Sequence, residues 1–164
     1  MIVSISPYSP KRTKSPTLNI NFSLNSSIVN ITIPNSITVI DKSAFYSCKA
    51  LKNITIPGNV TTIGEYAFCY CTDVTAVTMP NTVTELKKES FSNCSALASL
   101  NFSTALVSIN EKSFYYCEAL KEAKLPEGLI FIGNMAFNKA TSLTEVVIPN
   151  SVTTLDEKAF QNCS

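Results

Sequence analysis

The sequence contains no histidine and no tryptophan, and glycine occurs only four times in 164 residues. The absence of histidine excludes serine–histidine and cysteine–histidine nucleophile pairs, histidine-ligated zinc or haem, and the most common general base of enzymes. The few glycines form no glycine-rich loop of the kind that holds a phosphate group. These absences remove most signatures of catalysis, so the sequence predicts a protein that is not an enzyme and carries no cofactor.

Long apolar runs and a strong net charge are also missing. No stretch approaches the roughly 18 apolar residues that a membrane-spanning helix needs. The formal net charge is +1 at pH 7, which favours neither nucleic acid nor an acidic membrane as a partner. Residues 1–5 are soon followed by Pro7 and Pro10, unlike the charged and then apolar segments of a secretory signal. A cytoplasmic location therefore stays open.

A 23-residue internal repeat dominates what is present. Phenylalanine recurs at this spacing without interruption, at Phe45, Phe68, Phe91, Phe114, Phe137 and Phe160. The six repeats start at Ile28, Leu51, Val74, Leu97, Leu120 and Leu143, and repeat positions are counted from these residues. A fixed period of this length is typical of solenoids, in which each repeat forms one coil and neighbouring coils share a core.

Each position of the repeat has its own chemical character. Positions 1, 4, 6, 10 and 13 are apolar, position 17 is small, and position 7 is proline in five of the six copies. Positions 4 to 6 alternate between apolar and polar residues, which predicts a short strand with one buried face. Threonine and valine near positions 10 to 13 predict a second extended segment, and positions 15 to 20 favour a short helical turn.

The pattern L-x-x-I-x-I-P-x-x-V-x-x-I-G-x-x-A-F-x-x-C resembles the BspA-like class of leucine-rich repeats, and the resemblance covers residues 28–164. It implies a β-rich leucine-rich-repeat solenoid of stacked 23-residue coils, each with short parallel strands and a short helical turn. Members of the class are often described as surface proteins of bacteria and protists that bind host or matrix proteins. The resemblance therefore implies a cell-surface protein-binding module, although the sequence shows neither a secretion signal nor an anchor.

The two ends of the chain differ from the repeats. Residues 1–17 are rich in proline, serine and basic residues and predict a disordered arm. Residues 18–24 alternate in polarity, and Phe22 lies one repeat length before Phe45, so we expect residues 18–27 to form a degenerate first coil that caps the stack. The last repeat stops at Ser164 without an atypical polar unit. This predicts that the last coil packs against another chain, a second copy included, or belongs to a longer repeat protein.

Six cysteines invite a metal or disulfide interpretation. Five of them share position 21, namely Cys48, Cys71, Cys94, Cys117 and Cys163, and the fifth repeat has Ala140 there. A position that accepts alanine favours small buried side chains. Disulfides between neighbouring coils and a metal site are the less favoured alternatives. Cys69 lies outside this row and is predicted to be more exposed.

Two surfaces are candidates for partner binding. Outward positions 11 and 12 carry threonine or polar residues in most repeats, whereas repeats four and five carry Val107, Ile130 and Phe131 there. Such an apolar patch is typical of a protein interface. The second candidate is an edge of tyrosines, a side chain that favours interfaces. It comprises Tyr46, Tyr66, Tyr70, Tyr115 and Tyr116.

These observations favour a non-catalytic module that binds a protein. Two other interpretations stay open: an intracellular scaffold or fragment of a longer repeat protein, and a carbohydrate-binding surface on the tyrosine edge. An enzyme is the least favoured interpretation because the twelve acidic residues are scattered and offer no matching carboxylate pairs.

Overall fold

The computed structural model describes residues 21–163 in full and the backbone of residues 2–4 and 17–18. It contains twelve short strands. In chain order they are β1 (Ile2–Ser4), β2 (Thr17–Leu18), β3 (Asn30–Thr32), β4 (Val39–Ile40), β5 (Asn53–Thr55), β6 (Thr62–Ile63), β7 (Ala76–Thr78), β8 (Glu85–Leu86), β9 (Ser99–Asn101), β10 (Ser108–Ile109), β11 (Phe131–Ile132) and β12 (Thr154–Leu155).

The strands form two parallel sheets that run along the stack. Sheet one has the order β1-β3-β5-β7-β9, and sheet two has the order β12-β11-β10-β8-β6-β4-β2. Partners within the repeats are separated by one repeat length, as in the pairs Ile31 with Ile54 and Ile40 with Ile63. Equivalent residues of successive coils therefore stack on one another, and the predicted β-solenoid of leucine-rich repeats is confirmed.

The third side of each coil is a series of tight turns, and the prediction of a short helical turn is wrong. No helix occurs among the described residues, and so none that is long and apolar enough to span a membrane. The Phe45 amide donates to the Ala67 carbonyl of the next coil at 2.8 Å, whereas the Ala44 amide donates back to Asp41 at 3.3 Å. In an α-helix the amides beyond the first turn would instead donate to the carbonyl four residues earlier in the same coil.

Backbone dihedral angles explain why these turns cannot continue as a helix. Positions 16 and 20 adopt positive φ in every repeat, a conformation that an α-helix does not contain. The residues concerned within the repeats are Ser43, Ser47, Tyr66, Tyr70, Glu89, Asn93, Lys112, Tyr116, Met135, Lys139, Lys158 and Asn162. We therefore describe this side as the turn side of the solenoid.

A column of stacked phenylalanine rings runs through the core. Successive rings from Phe22 to Phe160 have centroids 5.0 to 5.6 Å apart and are nearly parallel. The five rings from Phe45 to Phe137 are fully buried, whereas those at the two ends are partly buried. Each ring contacts only the coils beside it, so the stability of the fold lies in the interfaces between coils.

The N-terminal residues extend both sheets by one strand. β1 pairs with β3, β2 pairs with β4, and Phe22 stacks on Phe45 with centroids 5.5 Å apart. Ile2–Ser4 thus form a strand within the segment predicted to be a disordered arm, whereas residues 5–16 lie outside the described residues. The division into an arm, a capping coil and six repeats stays a prediction.

Sheet one ends at β9, although sheet two continues through β11 and β12. At position 6 of the same coil stands Phe102, where three other coils have isoleucine. Its ring packs edge-on against Phe114 and also reaches Phe137 of the next coil, 6.4 Å away. We attribute the break to this ring, which contacts aromatic side chains of both coil four and coil five.

Candidate functional site

The outward face of sheet two carries an apolar pair. At position 11 the hydroxyl groups of Thr61, Thr84 and Thr153 donate to the backbone carbonyl of the preceding coil at 3.2 to 3.5 Å. Val107 and Ile130 interrupt this row, are adjacent in the stack, and are 45% and 50% exposed. Neither side chain can donate to a carbonyl, so these two coils present apolar surface in place of a hydrogen bond.

Phe131 lies on the other side of its strand, as expected for a residue next to Ile130 in an extended segment. It is half-buried, and its ring lies against Gly133, whose lack of a side chain leaves room for it. The ring lines a groove of about 470 Å³. The other residues of the groove are Glu65, Glu85, Lys87, Lys88, Asn110, Glu111, Gly133, Asn134 and Asp156.

The three residues of the predicted patch therefore form two neighbouring surfaces. Val107 and Ile130 form the apolar pair, whereas Phe131 belongs to a groove with charged walls. Whether either surface binds a partner stays a prediction.

The predicted tyrosine edge lies along the turn side and is already partly covered. The amino group of Lys42 lies over the Tyr66 ring, and that of Lys112 lies over Tyr115. Lys139 lies 4.5 Å from the centre of the Tyr116 ring and also donates to the Tyr116 hydroxyl. These lysines occupy ring surface that a ligand would otherwise contact.

Tyr46 and Tyr70 differ from the other members of this edge. Their rings meet edge to face at 5.8 Å, and no lysine lies over either ring in the part of the chain that is described. Tyr70 is 42% exposed. The free aromatic surface of the edge is therefore reduced to this pair.

A row of charges with alternating sign runs along position 15 in the first four coils, where the turn side begins, and ends at Asn134 of the fifth. Lys42 and Glu65 form an ion pair of 2.8 Å, and Lys88 and Glu111 form the next at 2.9 Å. Hydrogen bonding from Lys42 lowers the pKa of the Glu65 carboxyl, and the same bond raises the pKa of Lys42. Each charge thus faces opposite charges in the neighbouring coils, which favours one register of stacking.

The cysteines at position 21 form hydrogen bonds between neighbouring coils. Each position-21 thiol donates to the carbonyl of the phenylalanine in the preceding coil, as Cys94 does to Phe68 at 3.2 Å. The same bond recurs at 3.1 to 3.3 Å for Cys48, Cys71, Cys117 and Cys163. Among the described residues the cysteines are free thiols, and no three His, Cys, Asp or Glu side chains are placed to hold a metal.

The prediction that Cys69 is exposed is wrong. Its side chain is buried on the turn side between the coils, and burial raises the pKa of its thiol to about 12. Position 19 holds residues of different size, and the small ones, Cys69 and Ser92, are covered by their neighbours. Cys163, in the last described coil, is instead half-buried.

Thiol labelling of the native reduced protein is therefore expected to modify Cys163 first. Cys69 should react as slowly as Cys71, Cys94 and Cys117, because burial raises the pKa of all four thiols and only the thiolate is reactive. Mass spectrometry of labelled peptides measures the rates, and the urea-unfolded chain is the control in which all six should react alike. Early labelling of Cys69 would contradict its burial.

A cleft beyond the last strand of sheet one was not predicted from the sequence. It lies between coils five and six and has a volume of about 270 Å³. Its lining residues are Glu122, Ala123, Lys124, Leu125, Glu127, Glu145, Val147 and Pro149. We call it the coil-five cleft. One signal for it was in the sequence: Val147 replaces the threonine that stands at position 5 in the first three repeats.

Two comparisons relate the chain to known proteins. The sequence matches the family model of the BspA type leucine rich repeat region in six copies, over residues 17–117 and 40–164. The fold resembles a Treponema pallidum leucine rich repeat protein with a TM-score of 0.66 and 28% identity, covering 76% of this chain and 59% of the other. A search of curated proteins finds no match.

Two further solved structures share the fold. A leucine-rich repeat protein from Bacteroides ovatus has a TM-score of 0.66 and 24% identity, covering 93% of this chain and 46% of its own. A leucine rich cell surface protein from Faecalibacterium prausnitzii has a TM-score of 0.61 and 22% identity, covering 95% and 48%. This chain thus spans about half the length of these structures.

Proposed function

Because the chain belongs to the family of BspA-type leucine-rich-repeat proteins, we propose that it is a non-catalytic module that binds a protein partner through the outward face of sheet two. The observation that carries this proposal is the exposed pair of Val107 and Ile130. In this row threonine is compatible with the fold in four coils, and it gains a hydrogen bond to the backbone in at least three of them. Exposed apolar side chains in place of that bond favour a contact with another molecule.

The neighbouring Phe131 groove supplies a second contact of different character. A partner that covers Ile130 also reaches Phe131, the first residue of β11, because the two residues are consecutive in the chain. The groove walls carry both signs of charge, with Glu85, Lys87 and Asp156 outside the ion pairs found among the described residues. An apolar anchor beside exposed charges is the usual composition of a protein interface with a polar rim.

The double variant Val107→Thr/Ile130→Thr tests this surface. We expect its thermal unfolding to match that of the wild type, because both threonines can donate to the carbonyl that their equivalents use. We expect binding to weaken by about 2 kcal/mol, typical of an interface anchor. Wild-type and variant proteins are each immobilised, and the proteins that they retain are identified and compared. Sedimentation of the free chains measures self-association.

Tyr70→Ser is the matched control, since it removes an exposed apolar side chain from the turn side. It should leave the retained proteins and the sedimentation unchanged. If the double variant behaves as the wild type while Tyr70→Ser loses its partners, the binding surface is the tyrosine edge instead.

Carbohydrate binding is the second candidate, and its support is the Tyr46–Tyr70 pair. This pair offers aromatic faces without a lysine over them among the described residues. A glycan array probed with wild type and Tyr70→Ser distinguishes this candidate, because a sugar that stacks on Tyr70 should bind only the wild type.

More specifically, we propose that the protein has an adhesive role at a cell surface. Its support is the family and the description of the Faecalibacterium prausnitzii structure as a cell surface protein. Labelling of intact cells with a reagent that does not cross membranes tests it. Labelling only after lysis would favour the alternative of an intracellular scaffold.

A further inference from the structure

The coil-five cleft has a floor that resembles the core and a rim that does not. Ala123 and Leu125 are buried at its base, whereas Val147 at its wall is 72% exposed. Of the exposed large apolar side chains in the repeats, Val147 has the greatest exposure. The cleft therefore presents apolar surface continuous with the interior of the solenoid.

Backbone hydrogen bonding changes at the same place. From β3 to β9 the segments at positions 3 to 5 form strands that pair in parallel, with three residue pairs in the β3–β5 and β7–β9 ladders and one, Asn53 with Ala76, between β5 and β7. In coils five and six the ladder is reduced to one isolated bridge between Glu122 and Glu145, and no further strand of the described chain pairs with β9. Backbone amides and carbonyls are strong hydrogen-bonding groups that a partner strand can satisfy.

The rim of the cleft is acidic. Glu122, Glu127 and Glu145 line it together with the single cation Lys124, which lies 3.5 Å from Glu122. Glu122 and Glu145 face each other across the bridge, and like charges in such a register repel each other. A cationic group placed between them would relieve this repulsion.

We propose that the coil-five cleft binds an extended segment of a partner protein on one face of which apolar residues alternate with lysine or arginine, two residues apart. The segment adds as a strand to the backbone of positions 3 to 5. The apolar side chains of this face contact Val147 and its cations contact Glu122 and Glu145, because Glu145 and Val147 are also two residues apart and share the outward face. The inference shares with the proposed function only the class of the partner, since the cleft lies beyond the end of sheet one and the Val107–Ile130 pair lies on the outward face of sheet two.

The test uses two synthetic hexapeptides with threonine at every second residue. The remaining residues, which share one face, alternate valine with lysine in the first peptide and valine with glutamate in the second. Titration of the labelled protein, followed by NMR, should shift the amides of residues 122–124 and 145–147 with the lysine peptide and not with the glutamate peptide. Amide exchange at Ala123 and Lys124 should slow in the complex, which a purely electrostatic contact would not produce. Absence of binding, equal binding of both peptides, or shifts confined to other surfaces would overturn the inference.

Three variants distinguish peptide binding at the cleft from binding elsewhere on the molecule. Val147→Thr and Glu145→Gln should each lower the affinity for the lysine peptide about fivefold or more. Threonine is the residue that the first three repeats have at the position of Val147. Val107→Thr makes the same exchange on sheet two and should bind the peptide as the wild type does. If the cleft variants bind the lysine peptide as tightly as the wild type does, the cleft is not its binding site. The proposed function is tested separately, by the sheet-two double variant.

Discussion

Phe91→Ala is expected to lower the free energy of unfolding by about 3–5 kcal/mol, the usual cost of removing a large aromatic side chain from a core. Phe91 is fully buried in the middle of the ring column. It stacks on Phe68 at 5.1 Å and on Phe114 at 5.6 Å, so the substitution removes both contacts. Urea unfolding of the two proteins, followed by circular dichroism, measures the difference.

Phe160→Ala is the matched control for this result. Phe160 is partly buried and stacks on one ring of the described chain, Phe137, so its loss should cost less than half as much. Because each coil contacts only its neighbours, a gap at Phe91 should also make unfolding less cooperative, with a shallower transition. A loss below about 1 kcal/mol for Phe91→Ala would mean that the ring column contributes little to the core.

Gly64→Ala is expected to destabilise the protein by about 1–3 kcal/mol, the range for forcing extra atoms into a close contact. A β-carbon at this residue would lie 2.7 Å from the carbonyl carbon of Asp41 and 2.8 Å from the Ile40 oxygen. Both atoms belong to the backbone of the preceding coil and cannot rotate away. The Gly64 amide donates to the Ile40 carbonyl at 2.8 Å, so separating the coils would also weaken a ladder hydrogen bond.

Gly58→Ala provides the comparison, since a β-carbon there has no atom within 4 Å. Alanine also restricts the unfolded chain more than glycine does, so this variant should be neutral or more stable by up to about 1 kcal/mol. Thermal melts of both variants decide the point. Equal melting temperatures would show that the coils are not in close contact at position 14.

The solenoid and its core could be predicted from the sequence because the period is unbroken. A side chain that recurs once in every repeat must stack on itself when each repeat forms one coil, which places Phe45 through Phe137 in one column. The turn side could not be predicted in the same way. Its positive-φ positions hold tyrosine, lysine and serine as well as asparagine, so local residue preference does not reveal them.

Exposure of individual side chains was harder to predict than the fold. Cys69 is buried because of its neighbours at position 19, which a single repeat does not show. Ile130 and Phe131 are adjacent in sequence, yet one belongs to the exposed pair and the other lines the groove. The coil-five cleft was missed because its lining combines residues of two coils, and only Val147 departs from the residue of the first repeats in a way that the sequence shows.

The alternation of charge at position 15 makes the parity of the coils matter to the evolution of the chain. Loss of coil three alone would place Glu65 beside Glu111, and loss of coil two alone would place Lys42 beside Lys88. Loss of both coils together would leave Lys42 beside Glu111, with opposite signs still in contact. Within these four coils, duplications and deletions that keep opposite charges in contact therefore add or remove coils in pairs.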